Sequence, residues 1–194
     1  LFSDVHRDLS AAGDLVVQSA QADLAVCAGD LATQRRGLQE VVDVLSGMEV
    51  PIVLVPGNGE SDDEPREACR GWKDAHVLHG SGVELDGVHF WGVGGGIPVT
   101  PFGSWSWDHS EEEGRELLAG CPAGGILVSH SPPRGHVDTS DGHHLGSRAV
   151  LEAVDEKAPR LVACGHIHDC WRQESRVGPT RIVNAGPRGM VVEV

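Results

Sequence analysis

At 194 residues, with 40% hydrophobic and 23% charged side chains, the chain has ordinary globular composition and enough length for one well-buried domain spanning 1–194. Its net charge of −14, from 29 acidic against 15 basic residues, argues against a long nucleic acid as partner, because that affinity depends on neutralised phosphates. No apolar run approaches the ~20 residues needed to cross a bilayer, and no secretory-signal pattern is present, so a cytoplasmic protein with no membrane partner is expected.

In chain order, "LFSDVH" reads as the end of a strand, and further strand residues are expected ahead of Leu1. "LSAAGDLVVQSAQA" follows with apolar residues at helical spacing, then "DLAVCAGD" as a strand. "LQEVVDVLSGM" is a second helix and "PIVLVPGN" a second strand, stopped by Pro56-Gly57. "HVLHGSGVELDGVHFWGVGGG" reads as short strands joined by Gly and Asp-Gly turns. "GGGIPVTPFGSWSWDHSEEE" is an excursion, in which Trp105 and Trp107 either pin a long loop to the body or flank a substrate entrance. A helix starts at Ser110, which forms a capping box with Glu113. "GGILVSHS", the helix "SRAVLEAVDEK" and "PRLVACGH" come next, and the tail from Asp169 to Val194 reads again as short strands. Apolar runs alternating with helices predict an α/β protein whose central strands are largely parallel and covered on both faces. The five cysteines, Cys27, Cys69, Cys121, Cys164 and Cys170, are odd in number and form no C-x-x-C pair. They read as structural thiols of a reducing compartment.

Polar side chains recur where the apolar runs end. "SDVH" supplies Asp4 and His6, "AGD" Asp30, "PGN" Asn58, "VSH" His130, and "GHIH" His166 and His168. In open α/β sheets, ligands bind just beyond the carboxyl ends of the strands, so these side chains meet on one edge. Singly, each has a plain role as a cap, a turn or a bonded core histidine. Together, and without a partner, they would be costly to bury. A pair of divalent cations removes that cost, with one carboxylate bridging. Two-residue spacing in Asp4-x-His6 and His166-x-His168 turns both side chains to one side of an extended backbone. Imidazole, carboxylate and amide without thiolate suit Mn²⁺ best, with Fe or Zn²⁺ as alternatives.

In these segments the chain resembles the calcineurin-like metallophosphoesterases, whose motifs D-x-H, G-D, G-N-H-[DE], H and G-H-x-H stand here in order as "DVH", "GD", "GNGE", "SH" and "GHIH". The resemblance implies a compact four-layer α/β fold, a central β-sandwich flanked by helices. It implies that Asp4, His6, Asp30 and His168 hold one metal and Asp30, Asn58, His130 and His166 the other. Asp30 would bridge the two and hold the hydroxide that attacks phosphorus, while both metals clamp phosphate oxygens. The implied activity is hydrolysis of a small phosphodiester or an activated phosphomonoester. A non-catalytic metal-binding scaffold and a short-oligonucleotide nuclease are the alternatives.

One motif residue departs from the family. Where its histidine follows the ligand asparagine, to protonate the leaving group, this chain has Gly59. Such an acid is commonly worth ~10²–10⁴ in rate. His136 is the first replacement candidate, then His143 or His144; otherwise the substrate's leaving group departs unaided, or hydrolysis is poor. Arg134, in the same loop, offers a planar fork to a substrate phosphate, or serves the surface. Glu60 orients a ligand from behind or starts the next helix. His76, His79, His89 and His109 carry no motif and read as structural or exposed.

Overall fold

The computed structural model describes residues 1–194. Its elements are α1 (Leu9–Ser19), β1 (Ala25–Cys27), α2 (Leu38–Leu45), β2 (Ile52–Leu54), α3 (Asp63–Ala68), β3 (Ala75–Val77), β4 (Ser81–Leu85) and β5 (Val88–Val93). There follow α4 (Glu111–Leu118), β6 (Ile126–Ser129), β7 (Thr139–Ser140), β8 (His143–His144), α5 (Arg148–Lys157), β9 (Leu161–Cys164), a 3-10 turn (His168–Cys170), β10 (Gln173–Val177) and β11 (Thr180–Asn184).

The apolar runs sort into two sheets. The smaller is parallel, in the order β1-β2-β3, and Phe2 bridges to Cys27 beside it. The larger has the order β10-β11-β9-β6-β5-β4; its inner pairs are parallel and its two outer pairs antiparallel. Side chains alternate across each strand and so build three cores. Ala25, Cys27, Ile52 and Leu54 pack under Leu15 of α1 and Val41 and Leu45 of α2. Val26 and Val53, on the opposite face, meet Phe90, Ile126, Leu161 and Val183 of the larger sheet. Leu127, Val162 and Ile182 turn away from that interface onto Leu118 of α4 and Val150 and Val154 of α5. The result is helices, sheet, sheet, helices, each buried aliphatic side chain contributing about 1.5–3 kcal/mol.

The capping box at Ser110 and Glu113 is present, with both reciprocal bonds made. Three elements differ from expectation. Helix α3 lies in "DEPREA", where Pro65 is the sole buried residue; with no apolar stripe, no helical period shows. The hairpin β7–β8 turns at Asp141-Gly142, but the flanking Thr-Ser and His-His pairs lack strand character. The tail is strand only to Asn184; beyond it Leu1 and Met190 exchange backbone hydrogen bonds of 2.8 and 2.9 Å without extending a ladder. All five cysteines are buried and unpaired, and burial pushes the thiols of Cys69 and Cys121 up to about 11, which leaves them inert at neutral pH. No helix is long and apolar enough to cross a membrane.

Two helical glycines should respond oppositely to a methyl group. An ideal Cβ on Gly13, in α1, has nothing within 4 Å, whereas on Gly114, in α4, it lies 3.2 Å from both Ala149 Cβ and Ile97 Cγ2. Gly13→Ala should add about 0.5–1 kcal/mol to stability. Gly114→Ala should add nothing or destabilise, because the α4–α5 contact must open. Denaturant midpoints at equal slope check both.

Candidate metal centre

Every polar residue singled out at a strand end lies on one edge of the sandwich, where the carboxyl ends of β1, β2, β6 and β9 meet the N-terminal segment. The backbone there is forced into unusual shapes. Asp4, His6, Asp30 and His166 have φ of 55°, 45°, 57° and 69°, the left-handed region that costs an L-residue about 1 kcal/mol or more. These turns aim the side chains inward together. Their fit is close: a Cβ on Gly57 would lie 2.0 Å from Asp30 Oδ1 and 2.2 Å from Asp30 N, and one on Gly165 would lie 2.7 Å from Asp4 Oδ2. No other residue fits at either position.

The two carboxylates are deeply buried, Asp4 at 1% and Asp30 at 4% exposure. Asp4 accepts from the His166 N–H at 3.0 Å, from Trp171 Nε1 at 3.1 Å and from Ser3 Oγ. Asp30 accepts from the Gly59 N–H at 2.7 Å. Burial pushes Asp30 up, but the facing imidazoles of His130 and His6 and the Gly59 N–H outweigh it and hold the carboxyl below its usual range. His6 Nε2 lies 3.5 Å and His130 Nε2 3.7 Å from Asp30 oxygens, and His168 Nε2 3.8 Å from Asp4. Burial drives His166 down to about 3, so that ring stays neutral with a free lone pair.

Hydrogen bonds behind the rings decide which nitrogens face the centre. His130 Nδ1 lies 2.7 Å from the Ala28 carbonyl and His6 Nδ1 3.1 Å from the Ala32 carbonyl. A carbonyl only accepts, so each Nδ1 carries a proton, and Nε2 is left as the nitrogen that turns inward and can give its lone pair to a cation. His130 Nε2 then faces Asn58 Oδ1 at 3.1 Å, acceptor against acceptor, and His6 Nε2 faces His168 Nε2 at 3.1 Å. Ligand atoms of Asp4, His6 and His168 lie within 4.8 Å of one another, as do those of Asp4, Asp30 and His130. Asp4 belongs to both groups. Convergent lone pairs from imidazole, carboxylate and amide fit hard or borderline divalent cations.

Arg134 and His136 lie in the loop after His130 but join other partners. Arg134 Nη1 donates to the His144 carbonyl at 3.0 Å, and His136 Nδ1 lies 3.2 Å from Ser175 Oγ on β10. Neither bonds to any of the convergent residues. His144 Nδ1 lies 2.7 Å from Asp138, a fully buried carboxylate that also gathers the Gly135 and Gly146 N–H groups. Glu60 is 1% exposed and does not start α3. It accepts from the Ala32 N–H at 2.8 Å and the Gly57 N–H at 2.9 Å, tying together the loops that carry Asp30 and Asn58. Burial and the Asp30 charge push it up to about 8, against the pull of those N–H bonds.

Sequence reasoning misses several supporting residues. Trp171 fixes Asp4 from beyond the G-H-x-H segment. Asn184 donates to the Gly165 and Ile167 carbonyls at 3.2 and 3.0 Å, on either side of His166. Its signal is present: "TRIVN" ends an apolar run on an amide, as "LVPGN" does. Ser106 accepts from Asn58 Nδ2 at 2.8 Å and is bonded in turn to Asp108; nothing in the excursion's composition marks either. Trp107 pins that excursion, its N–H donating to the Asn58 carbonyl at 2.9 Å and its ring packing on His79 and His109. Trp105 stacks instead on the exposed Phe102.

The chain is 29% identical over 109 residues to the UPF0046 protein K07C11.7 of Caenorhabditis elegans; the match covers 56% of this chain and 36% of that protein, so it spans about a third of that relative's length. Among solved structures, TT1561 of Thermus thermophilus superposes with a TM-score of 0.75 at 19% identity, covering 95% of this chain and 87% of that one. The phosphopantetheinyl hydrolase PptH of Mycobacterium tuberculosis does so with a TM-score of 0.61 at 14% identity, over 95% and 87% of the two chains. At those identities the two structures speak for the four-layer fold alone. The calcineurin-like phosphoesterase superfamily domain, however, matches residues 1–193, and the chain therefore belongs to that superfamily.

Proposed function

We propose that this protein is a binuclear metal-dependent phosphoesterase acting on a small phosphodiester or an activated phosphomonoester. The observation that carries this reading is the acceptor-to-acceptor contact of His130 Nε2 with Asn58 Oδ1 at 3.1 Å, beside the bare His6 Nε2 at 3.1 Å from His168 Nε2. Cations between such atoms turn an unfavourable contact into coordination. Asp4, His6, Asp30 and His168 would hold one ion, and Asp30, Asn58, His130 and His166 the other. Asp4 is common to both triads of ligand atoms, but Asp30 would be the shared ligand because its oxygens face His6 of one set and His130 of the other. Bound divalent cations would supply Lewis acidity toward phosphate oxygens and acidify water. Mn²⁺ suits the mixed nitrogen and oxygen donors, with Fe or Zn²⁺ next.

The chain's own groups set what can bind. Two carboxylates against two dications leave the centre positive within a protein of net charge −14. A small phosphate is thus drawn to the centre while a long polyanion is repelled by the surface. Asn58, being neutral, adds a ligand without reducing that positive charge. Asp30 is held below its usual range and so stays ionised to bridge at neutral pH.

The substrate preference rests on position 59. The Gly59 N–H is engaged by Asp30, and a Cβ there would sit 3.1 Å from Asp30 Oδ1 and 3.3 Å from the Ala32 carbonyl. No side-chain acid stands at that point, and His136 is engaged by Ser175 on β10. Leaving groups that depart without a proton are favoured, which selects diesters and monoesters with an acidic, aryl-type leaving group over alkyl esters.

Metal analysis of the chain loaded with Mn²⁺ should give two ions per chain. Asp30→Asn should leave fewer than one and lower turnover by more than the ~10–100-fold typical of an outer supporting residue. Two ions bound with no turnover on bis-p-nitrophenyl phosphate, p-nitrophenyl phosphate or cyclic nucleotides would instead make the protein a metal-binding scaffold.

Across aryl phosphodiesters of graded leaving-group pKa, log kcat/KM should fall steeply as that pKa rises. A flat profile would reveal an acid in the site. His136→Ala should leave the slope unchanged; a steeper slope would assign His136 the proton.

A further inference from the structure

We propose that Thr100, Ser106 and Asp108 form an orienting device that locks the Asn58 side-chain amide with its oxygen toward the metal centre and its nitrogen away. The proposal rests on the metal-centre reading above, but the lock itself exists without metal. An amide's two ends are alike in shape and opposite in polarity, so only its hydrogen-bond partners choose between them.

On one side of Asn58 stands His130 Nε2, bare because Nδ1 serves the Ala28 carbonyl. That side alone would favour the reversed amide, whose NH₂ would donate to His130 and occupy the centre. The choice is made on the other side. Ser106 Oγ lies 2.8 Å from Asn58 Nδ2 and 2.7 Å from Asp108 Oδ1. Thr100 Oγ1 lies 2.7 Å from Asp108 Oδ2 and 3.0 Å from Ser106 Oγ, and the Thr100 N–H reaches the same Oδ2 at 3.0 Å. A carboxylate only accepts. It draws the Ser106 proton directly, or through Thr100, and either way Ser106 Oγ offers only lone pairs to Asn58. Reversing the amide would require Ser106 to give its proton to the Asn58 oxygen, leaving Asp108 Oδ1 without that donor.

The loop is built to hold this arrangement. Ser106 and Asp108 are two apart in a bend of this loop, which brings their side chains within 2.7 Å of each other. The Trp107 N–H between them donates to the Asn58 carbonyl at 2.9 Å, fixing the loop to the ligand residue by its backbone as well. Gly96 bridges to Asp108, and a Cβ there would stand 2.3 Å from Asp108 Oδ1, so the carboxylate occupies space that a side chain at 96 would fill. Ser106 and Asp108 are positioning residues, acting on the metal only through Asn58.

Asp108→Asn tests polarity at constant shape, because its NH₂ can donate to Ser106 and release the Ser106 proton toward Asn58. Ser106→Ala removes the acceptor, and Ser106→Thr restores a hydroxyl. In metal-free protein, proton NMR should show contacts from the Asn58 NδH₂ group to Ser106 in the parent chain and to His130 in Asp108→Asn. Calorimetric titration with Mn²⁺ should show one of two sites weakened about 10–100-fold in Asp108→Asn and Ser106→Ala. The other site should change less than about threefold, and Ser106→Thr should recover most of the loss. Unchanged NδH₂ contacts together with parent-like affinities in both variants would overturn the proposal. If the parent chain takes up no Mn²⁺, the metal-centre reading falls, and the NMR contacts alone then sustain or sink the lock.

Discussion

Nitrogen and oxygen donor atoms crowded onto one point are the constraint around which this protein is organised. His130 faces Asn58 and His6 faces His168, each across 3.1 Å, while His130, His6 and Asn58 are each held from behind by a further hydrogen bond. A cation held among these atoms would offset the hydration that buried acceptors without donors forfeit. The backbone carbonyls of Ala28 and Ala32 therefore matter as much as the rings they hold. By taking the Nδ1 protons they decide that nitrogen lone pairs point inward.

The fold serves this cluster by bringing chain segments far apart in sequence to one edge. Parallel strands put all their carboxyl ends on the same side, and two stacked sheets place Asp4, Asp30 and Asn58 opposite His130 and His166. Apolar layers on both sides of each sheet make the strands rigid, while the tips depart from regular geometry. Left-handed φ at Asp4, His6, Asp30 and His166 is unfavourable locally and is sustained by the packed layers beneath. The glycines mark where backbone must pass within contact distance of a carboxylate, as at Gly57 against Asp30.

Charge works on two scales. The chain as a whole is strongly acidic, with a net charge of −14. The centre carries only two carboxylates among imidazoles and an amide, so divalent cations held there would dominate its local field. At Gly59 the backbone N–H steadies Asp30, and no side chain stands at that point. Glu60, next in the chain, faces away from that space and ties two ligand loops together from beneath. The motif's acidic end thus has a mechanical role in this chain.

The sequence alone determined the alternation of doubly covered strands and amphipathic helices and the order in which polar residues end those strands. Both are local: side-chain period and turn chemistry act over a few residues, so "PIVLVPGN" announces a buried strand and its polar tip without knowledge of its neighbours. The capping box at Ser110 is local in the same way. Helix α3 was hidden because charged residues around Pro65 carry no period. What only the tertiary structure decided is which atoms meet across long separations. Trp171 reaching Asp4, Asn184 spanning the His166 turn and Ser106 taking the Asn58 amide are contacts over 167, 17 and 48 positions. Hydrogen-bond polarity depends on such partners, and no pattern along the chain encodes it. The donors were legible as residues; their protons were settled only by the folded neighbours behind them.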